Sequence, residues 1–297
     1  MPELLNPTVD FVFKRIFGDE KNADVLVNFL NSVFESAREP LIESVEILNP
    51  FIDKEALTDK MSVLDIRART ETRTLINIEI QLWNRRNIEK RTLYYWARMY
   101  AQQLEEGNQY RTLQKTIAVN ILDFDYIQTE RYHTVFHVRE DQTHTLLTDM
   151  LEIHFVELRK LREQSVGLER RLVKWMLFLT ARTQKQLEEL AMQDPAIQKA
   201  LTTLEFLSQD AETRRLYQER QRSLHDYVSD VEGAREEGME KGREKGREEG
   251  REEGRKEGET KKAVTVARAM LAKGMDVALV SEVTGLSLED VQHLLAH

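Results

Sequence analysis

Asp65, Glu79 and Gln81 are the residues whose types and spacing could do chemistry. They stand in two strand-like runs, MSVLDIRAR from Met61 and LINIEIQLW from Leu75. Side chains on a strand alternate between its two faces. Met61, Val63, Asp65, Arg67 and Arg69 therefore share one face, and Leu75, Asn77, Glu79, Gln81 and Trp83 share one in the second run. The opposite faces, with Ile66 and with Ile76, Ile78 and Ile80, are apolar enough to pack on helices. Paired as an antiparallel hairpin with its tip at Thr72, the two runs set Asp65 opposite Glu79, with Cβ atoms about 4.5–5.5 Å apart. Facing like charges repel, and a divalent cation offsets that repulsion. An all-oxygen donor set suits Mg²⁺, with Mn²⁺ as a substitute. The plainer alternative is a hairpin with a wet polar face, its acids paired with Arg67 or Arg73. The turn TETR holds neither Gly nor Asn, so the register rests on the alternation alone.

Local charge bears on the choice. From Arg67 to Lys115 there are ten basic residues against five acids, in a chain of net charge −9. A basic strip beside facing carboxylates is what a metal-dependent phosphodiesterase needs: cations for the backbone phosphates and acids for the metal.

Several elements must position these groups. Thr8 is placed to cap a helix that runs through Phe17 and stops at Gly18. A second helix spans about Asn22 to Phe34. Strand-like runs follow at Ser44–Leu48, Met61–Arg69 and Leu75–Leu82. Asn87 to Glu106 has helical periodicity, with Leu93, Trp96, Ala97, Tyr100, Ala101 and Leu104 on one stripe. TIAVNILDF (Thr116–Phe124) is the continuous apolar run of a strand buried on both faces. The fold class expected is α/β, a mixed sheet flanked by helices. Tyr132–Val138 and Leu151–Val156 read as further strands, and Leu168 to about Val231 reads as helical.

Composition excludes several classes. The 297 residues include no Cys, which removes disulfides, thiolate metal sites and cysteine nucleophiles. No apolar stretch is long enough for a bilayer span, and nothing in the N-terminal residues suggests export.

The stretches DFVFKRIFG (Asp10–Gly18), KMSVLDIRAR (Lys60–Arg69), INIEIQ (Ile76–Gln81), RTLYYWARMYAQQLEEGNQY (Arg91–Tyr110) and TIAVNILDF resemble the PD-(D/E)XK nuclease family transposases, also called recombination-promoting nucleases. The resemblance implies a restriction-endonuclease-like αβββαβ core, Mg²⁺-dependent DNA cleavage linked to recombination or transposition, and a cytoplasmic setting. It implies that Asp65 and Glu79 hold the metal, with the Ile80 carbonyl completing the site. Gln81 then stands where the family pattern has Lys, and Leu64 where it has Pro. Gln can orient water but carries no charge. Lys14 on the first helix or Arg91 on the Asn87–Glu106 helix supplies the missing cation in this reading. Asp10 is a candidate third acid near the metal; its plainer role is helix N-terminal charge. The alternative to an active enzyme is a nuclease fold of weak or lost catalysis, acting as a DNA-binding or assembly module or as a partner-regulated toxin.

The resulting domain reading is a nuclease-like domain over 1–165, a helical extension over 166–232, a linker over 233–262 and a small helical module over 263–297. In the linker Gly recurs every four residues from Gly238 to Gly258, among Arg, Lys and Glu. Gly costs about 1 kcal/mol per helical position against Ala, so a marginal helix or flexible spacer is expected. TGLSLEDV in the last module resembles the turn and second helix of a helix-turn-helix, yet residues 259–297 hold four basic residues and five acids. DNA binding and homo-oligomer formation through the tail both fit. His133 and His137 on a strand lie about 13 Å apart, too far for one ion, which assigns them a structural role.

Overall fold

The computed structural model describes residues 3–49, 65–84, 87–105, 107, 109–162, 167, 169–181 and 183–294. Two helices open the chain, α1 (Asp10–Phe17) and α2 (Ala23–Ala37). Three strands follow: β1 (Val45–Ile47), β2 (Ile66–Thr70) and β3 (Leu75–Gln81). Next come α3 (Ile88–Ala101), β4 (Thr116–Leu122), β5 (His133–Arg139) and β6 (Leu146–Glu157). The order αα-βββ-α-β is the expected core, and β5 and β6 extend its sheet. Residues 61–64 of the expected second strand, Leu64 among them, lie outside the described residues, as do Arg85 and Arg86.

The sheet has six strands in the order β1-β2-β3-β4-β6-β5. β2 pairs antiparallel with both β1 and β3, β3 pairs parallel with β4, β4 parallel with β6, and β5 antiparallel with β6. The β2–β3 pairs are Ile66 with Ile78, Arg67 with Asn77, Ala68 with Ile76 and Arg69 with Leu75, so the hairpin is centred on Thr72. The turn manages without Gly because Arg73 takes a left-handed conformation, φ 67°, after a turn closed by the Arg73 amide donating to the Thr70 carbonyl at 2.9 Å. That is the three-residue hairpin loop, a tight turn followed by one left-handed residue. The Thr70 hydroxyl lies 2.9 Å from that of Thr72 and accepts from the Thr74 amide at 3.1 Å, bracing the strained position.

One face of the sheet carries the main core. Ile66, Ile76, Ile78, Ile80, Ile117, Val119, Ile121 and Val156 meet α1 and α2 there. Gly18, which ends α1, is required by contact: a Cβ would sit 2.8 Å from the Lys14 carbonyl oxygen and 3.2 Å from Ile66 Cγ1. Phe17 and Phe29 pack on Trp175 at centroid distances of 5.3 and 5.9 Å. Trp175 belongs to α5 (Arg171–Thr180), which follows the short α4 (Leu158–Arg162). With α6 (Gln184–Ala191) and α7 (Pro195–Gln209) it buries Leu172, Phe178, Leu187 and Leu204 in the same core as α1 and α2. The helices of 171–209 thus share the core of the sheet.

The chain forms two compact units, Met1–His225 and Asp226–His297. The glycine-punctuated stretch is helical, within α8 (Ala211–Ala272). A Cβ at any glycine from Gly238 to Gly258 meets no atom within 4 Å, so this stretch packs on nothing in the described chain. Exposed i,i+4 pairs such as Lys241–Glu237 and Arg255–Glu259 line it, each worth about 0.3–0.5 kcal/mol. In the second unit α9 (Val277–Thr284) and α10 (Leu288–His293) close a small core of Ala267, Val280 and Val291. Asp276 and Ser287 cap these helices by accepting from the Ala278 and Asp290 amides. Among the described residues no helix is long and apolar enough to cross a membrane.

Candidate active site

The hairpin register continues one step past the Ile66–Ile78 pair to set Asp65 opposite Glu79. Asn49, just past β1, pins that end of β2. Its side chain donates to the Asp65 carbonyl at 3.1 Å and accepts from the Arg67 amide at 2.7 Å. The Asp65 carboxylate receives Arg67 Nε at 2.8 Å and stays partly open to solvent. Asp65–Arg67 pairing was the plainer expectation for these acids, and the structure contains it.

Glu79 is 3% exposed. Asn77 Nδ2 and Gln81 Nε2 donate to its two oxygens at 3.4 and 3.3 Å, and Arg91 Nη2 lies 3.5 Å from Oε2. Burial pushes the Glu79 carboxyl above its ordinary value, Arg91 opposes that, and the charge of Asp65 adds to it. The two acids therefore interact, as the register requires. Asn77 Oδ1 and Gln81 Oε1 are buried without a hydrogen-bond partner among the described residues. A buried acceptor without a donor costs roughly 1–3 kcal/mol. Two such oxygens beside two carboxylates suit a hydrated hard cation, whose water molecules donate. Gln81 therefore uses its amide NH₂ on Glu79 and keeps its oxygen for a donor that the described residues do not provide.

The Ile80 side chain points into the core. Its carbonyl has a direction fixed by the neighbouring residue. The Gln81 carbonyl accepts from the Asp123 amide, on the β4 side. Successive carbonyls along a strand point to opposite edges, so that of Ile80 points to the β2 side, where the described ladder has ended.

Lys14 is buried in α1 at 5% exposure, and burial lowers its pKa; the charge of Asp65 opposes this shift and that of Arg67 adds to it. α1 thus brings an ammonium within electrostatic reach of Asp65. Arg91 stands at the start of α3, with its guanidinium 5.7 Å from the Tyr95 ring. Its Nε and Nη2 have no hydrogen-bond acceptor among the described residues.

Two expectations need correction. The buried face of α3 is Ile88, Thr92 and Met99, while Leu93 and Tyr94 are 48% and 61% exposed. The physical reason is that α3 covers the polar face of the sheet: Thr92 donates to Asn120 at 2.8 Å, beside Glu79 in the β3–β4 register. Trp96 docks at the edge, its indole N–H donating to the Thr116 carbonyl at 2.8 Å. The second correction concerns Thr8, whose hydroxyl bonds Asn6 rather than capping α1; Val9 holds the N-cap position without a side-chain bond.

Asp10 is not brought to Asp65 and Glu79 as an open carboxylate. Arg220 of α8 holds it, with Nε donating to Oδ1 at 3.1 Å and Nη2 to Oδ2. The basic strip is also divided: Arg69 pairs with Glu46, and Lys115 turns to Glu152, on the other face of the sheet.

Residues 260–296 match the profile of the C-terminal HTH domain of the Rpn/YhgA-like nuclease family. No match was found among curated proteins or among solved structures. Residues 7–234, a span that holds the whole sheet, Asp65, Glu79 and Gln81, match the PD-(D/E)XK nuclease family transposase profile, and the chain belongs to that family.

Proposed function

We propose that this protein is a Mg²⁺-dependent DNA endonuclease that hydrolyses phosphodiester bonds in recombination or transposition. The observation that carries the reading is the buried Glu79, opposite Asp65 and flanked by the unsatisfied Asn77 and Gln81 oxygens. Asp65, Glu79 and the Ile80 carbonyl would hold the ion. When bound, Mg²⁺ supplies positive charge against the scissile phosphate and acidifies water.

The chain's own groups do the rest. Asp65 and Glu79 fix the site between two paired strands, which keeps them rigid. Gln81 orients water through its free oxygen but neither carries charge nor acts as a base. Lys14 contributes the cation that Gln81 lacks, and its lowered pKa makes it easier to deprotonate than an exposed lysine. Arg91 offers two buried donor nitrogens to a phosphate oxygen. The C-terminal helices add a DNA-binding module in this reading, in keeping with their match to an HTH domain.

A plasmid nicking assay with Mg²⁺ tests the proposal, comparing the parent with Asp65→Ala, Glu79→Ala and Lys14→Met. All three variants are expected to lose about 100-fold or more in rate, the range that general acid–base and electrostatic groups typically supply. Equal nicking by parent and variants would assign the activity to a contaminant. A second reading, a DNA-binding protein without cleavage, draws on Arg91, which already partly neutralises Glu79 and so competes with a metal. DNA binding by the parent without nicking, in Mg²⁺ or Mn²⁺, would decide for it.

A further inference from the structure

A second polar cluster lies on the sheet face opposite Glu79. Glu152 of β6 registers with Ile117 of β4, a residue of the main core, whereas Glu79 registers with Asn120. Odd and even positions of β4 point to opposite faces, so the two acids do too. Glu152 is fully buried. His154, two residues on, hydrogen-bonds Glu152 Oε1 through Nε2. Its Nδ1 is 3.0 Å from His133 Nε2, and His133 Nδ1 is 2.9 Å from Ser36 Oγ. An ionised carboxylate only accepts, so His154 Nε2–H donates to Glu152, and His133 links His154 to Ser36.

The other Glu152 oxygen faces a different set. Oε2 lies 3.4 Å from His137 Nε2 and 2.5 Å from Lys115 Nζ. Glu39 brings Oε1 to 3.7 Å from His137 Nε2 and Oε2 to 3.7 Å from Lys115 Nζ. Glu39, His137 and Glu152 each offer a donor atom within 4.8 Å of the others. Backbone geometry aims two of them. The pairs His133–Val156 and Val135–His154 carry His137 to Glu152, and left-handed Arg38, φ 63°, ends α2 just before Glu39. His133 and His137 keep to one face of β5, as the alternation requires.

We propose that Glu39, His137 and Glu152 form a second metal site, selective for Zn²⁺-like ions, whose place Lys115 holds when no metal is bound. Four arguments support it. Ligands about 2.1 Å from a tetrahedral ion lie about 3.4 Å from one another, close to the 3.4 and 3.7 Å found here. One imidazole and two carboxylates suit Zn²⁺ and its neighbours rather than Mg²⁺, which prefers oxygen alone. Two carboxylates against one ammonium leave an excess negative charge, whereas a divalent ion in its place gives neutrality. Glu152 is held from behind by His154, as ligating side chains usually are. Glu39 and His137 are half-buried, which leaves an entry from solvent. Lys115 is on a flexible stem and partly exposed, so it can leave.

The test uses the full chain with Mg²⁺ in excess, titrated with Co²⁺ as a spectroscopic stand-in for Zn²⁺. The expected result is one Co²⁺ per chain with visible absorption, displaced by Zn²⁺ and unchanged in Asp65→Ala. His137→Gln and Glu39→Gln should each weaken it at least tenfold, with metal-free melting curves confirming that they fold. Lys115→Met should bind at least tenfold more tightly, because the competing ammonium is gone. Absence of binding in both the parent and Lys115→Met overturns the proposal. So does a signal that Asp65→Ala abolishes, or one that His137→Gln leaves intact. Because the readout is metal retention in an Asp65→Ala background, its failure is distinct from a failure of DNA cleavage.

Discussion

Arg91 sets Nη2 3.5 Å from Glu79 Oε2, joining the start of α3 to the middle of β3 across the polar face of the sheet. The guanidinium neutralises part of the buried acid, yet its Nε and Nη2 keep no hydrogen-bond acceptor among the described residues. Arg91→Lys keeps the charge and removes the fixed fork of donors. The expected outcome is a drop in kcat/KM for DNA cleavage of about 10–100-fold, equivalent to about 1.4–2.7 kcal/mol. Nicking kinetics with parallel DNA-binding curves would measure it. Unchanged kinetics would show that Arg91 serves Glu79 alone.

Glu79 gives a pH signature. Burial first, and then Asp65, raise its folded-state pKa above the ordinary 4.5, with Arg91 opposing. For an acid shifted upward, folded and unfolded states are both protonated below 4.5 and no cost arises. As pH rises from 4.5 through the folded pKa, stability falls, because the folded state binds more protons there. Glu79→Gln should therefore be more stable than the parent at pH 8 and equal to it near pH 4, as read by urea unfolding. Mg²⁺ competes with the same proton, so its affinity should increase across that window in the parent.

The hairpin was legible because its evidence is periodic. Two runs of alternating character, each with an apolar face, admit few registers, and burial of Ile66 against Ile78 and Ile76 against Ala68 selects the one centred on Thr72. The α3 stripe was misread for the converse reason. Periodicity assigns apolar residues to the buried side, but this helix covers a polar pocket, so Thr92 went inward and Leu93 outward. Glu152 and His154 carried one usable signal, two polar residues in an otherwise apolar strand run. His137 was visible on one face with His133, but the approach of Glu39 has no local trace, because a left-handed Arg38 is an event of backbone geometry. The hold of Arg220 on Asp10 spans 210 positions and has no local trace.

That distant pair separates two roles for Asp10. Both side chains are nearly buried, and each is the other's charge partner. Removing one partner of a buried pair typically costs about 3–5 kcal/mol, because the remaining charge is stranded. Asp10→Asn and Arg220→Met should each lower the melting temperature clearly while leaving Mg²⁺ affinity at Asp65 and Glu79 intact. A variant Asp10→Asn that lost Mg²⁺ affinity at unchanged stability would instead make Asp10 a metal ligand.

Glu152 gives the opposite pH dependence to Glu79. Burial alone would raise its pKa, but the hydrogen bond and charge of His154, with those of Lys115, outweigh burial and hold it down to about 2. An acid shifted downward contributes stability that is fully present above the unfolded value of 4.5 and is lost as pH falls toward 2. His133 adds no charge in that range until about pH 3, since burial and then His154 depress it, against Glu152. Glu152→Gln should therefore destabilise the chain at pH 7, because His154 and Lys115 lose the carboxylate charge that they hold. The gap between parent and variant should narrow steadily between pH 4.5 and 2 in thermal melts. A constant gap across that range would mean that packing, and not the carboxylate charge, is what Glu152 supplies to the fold.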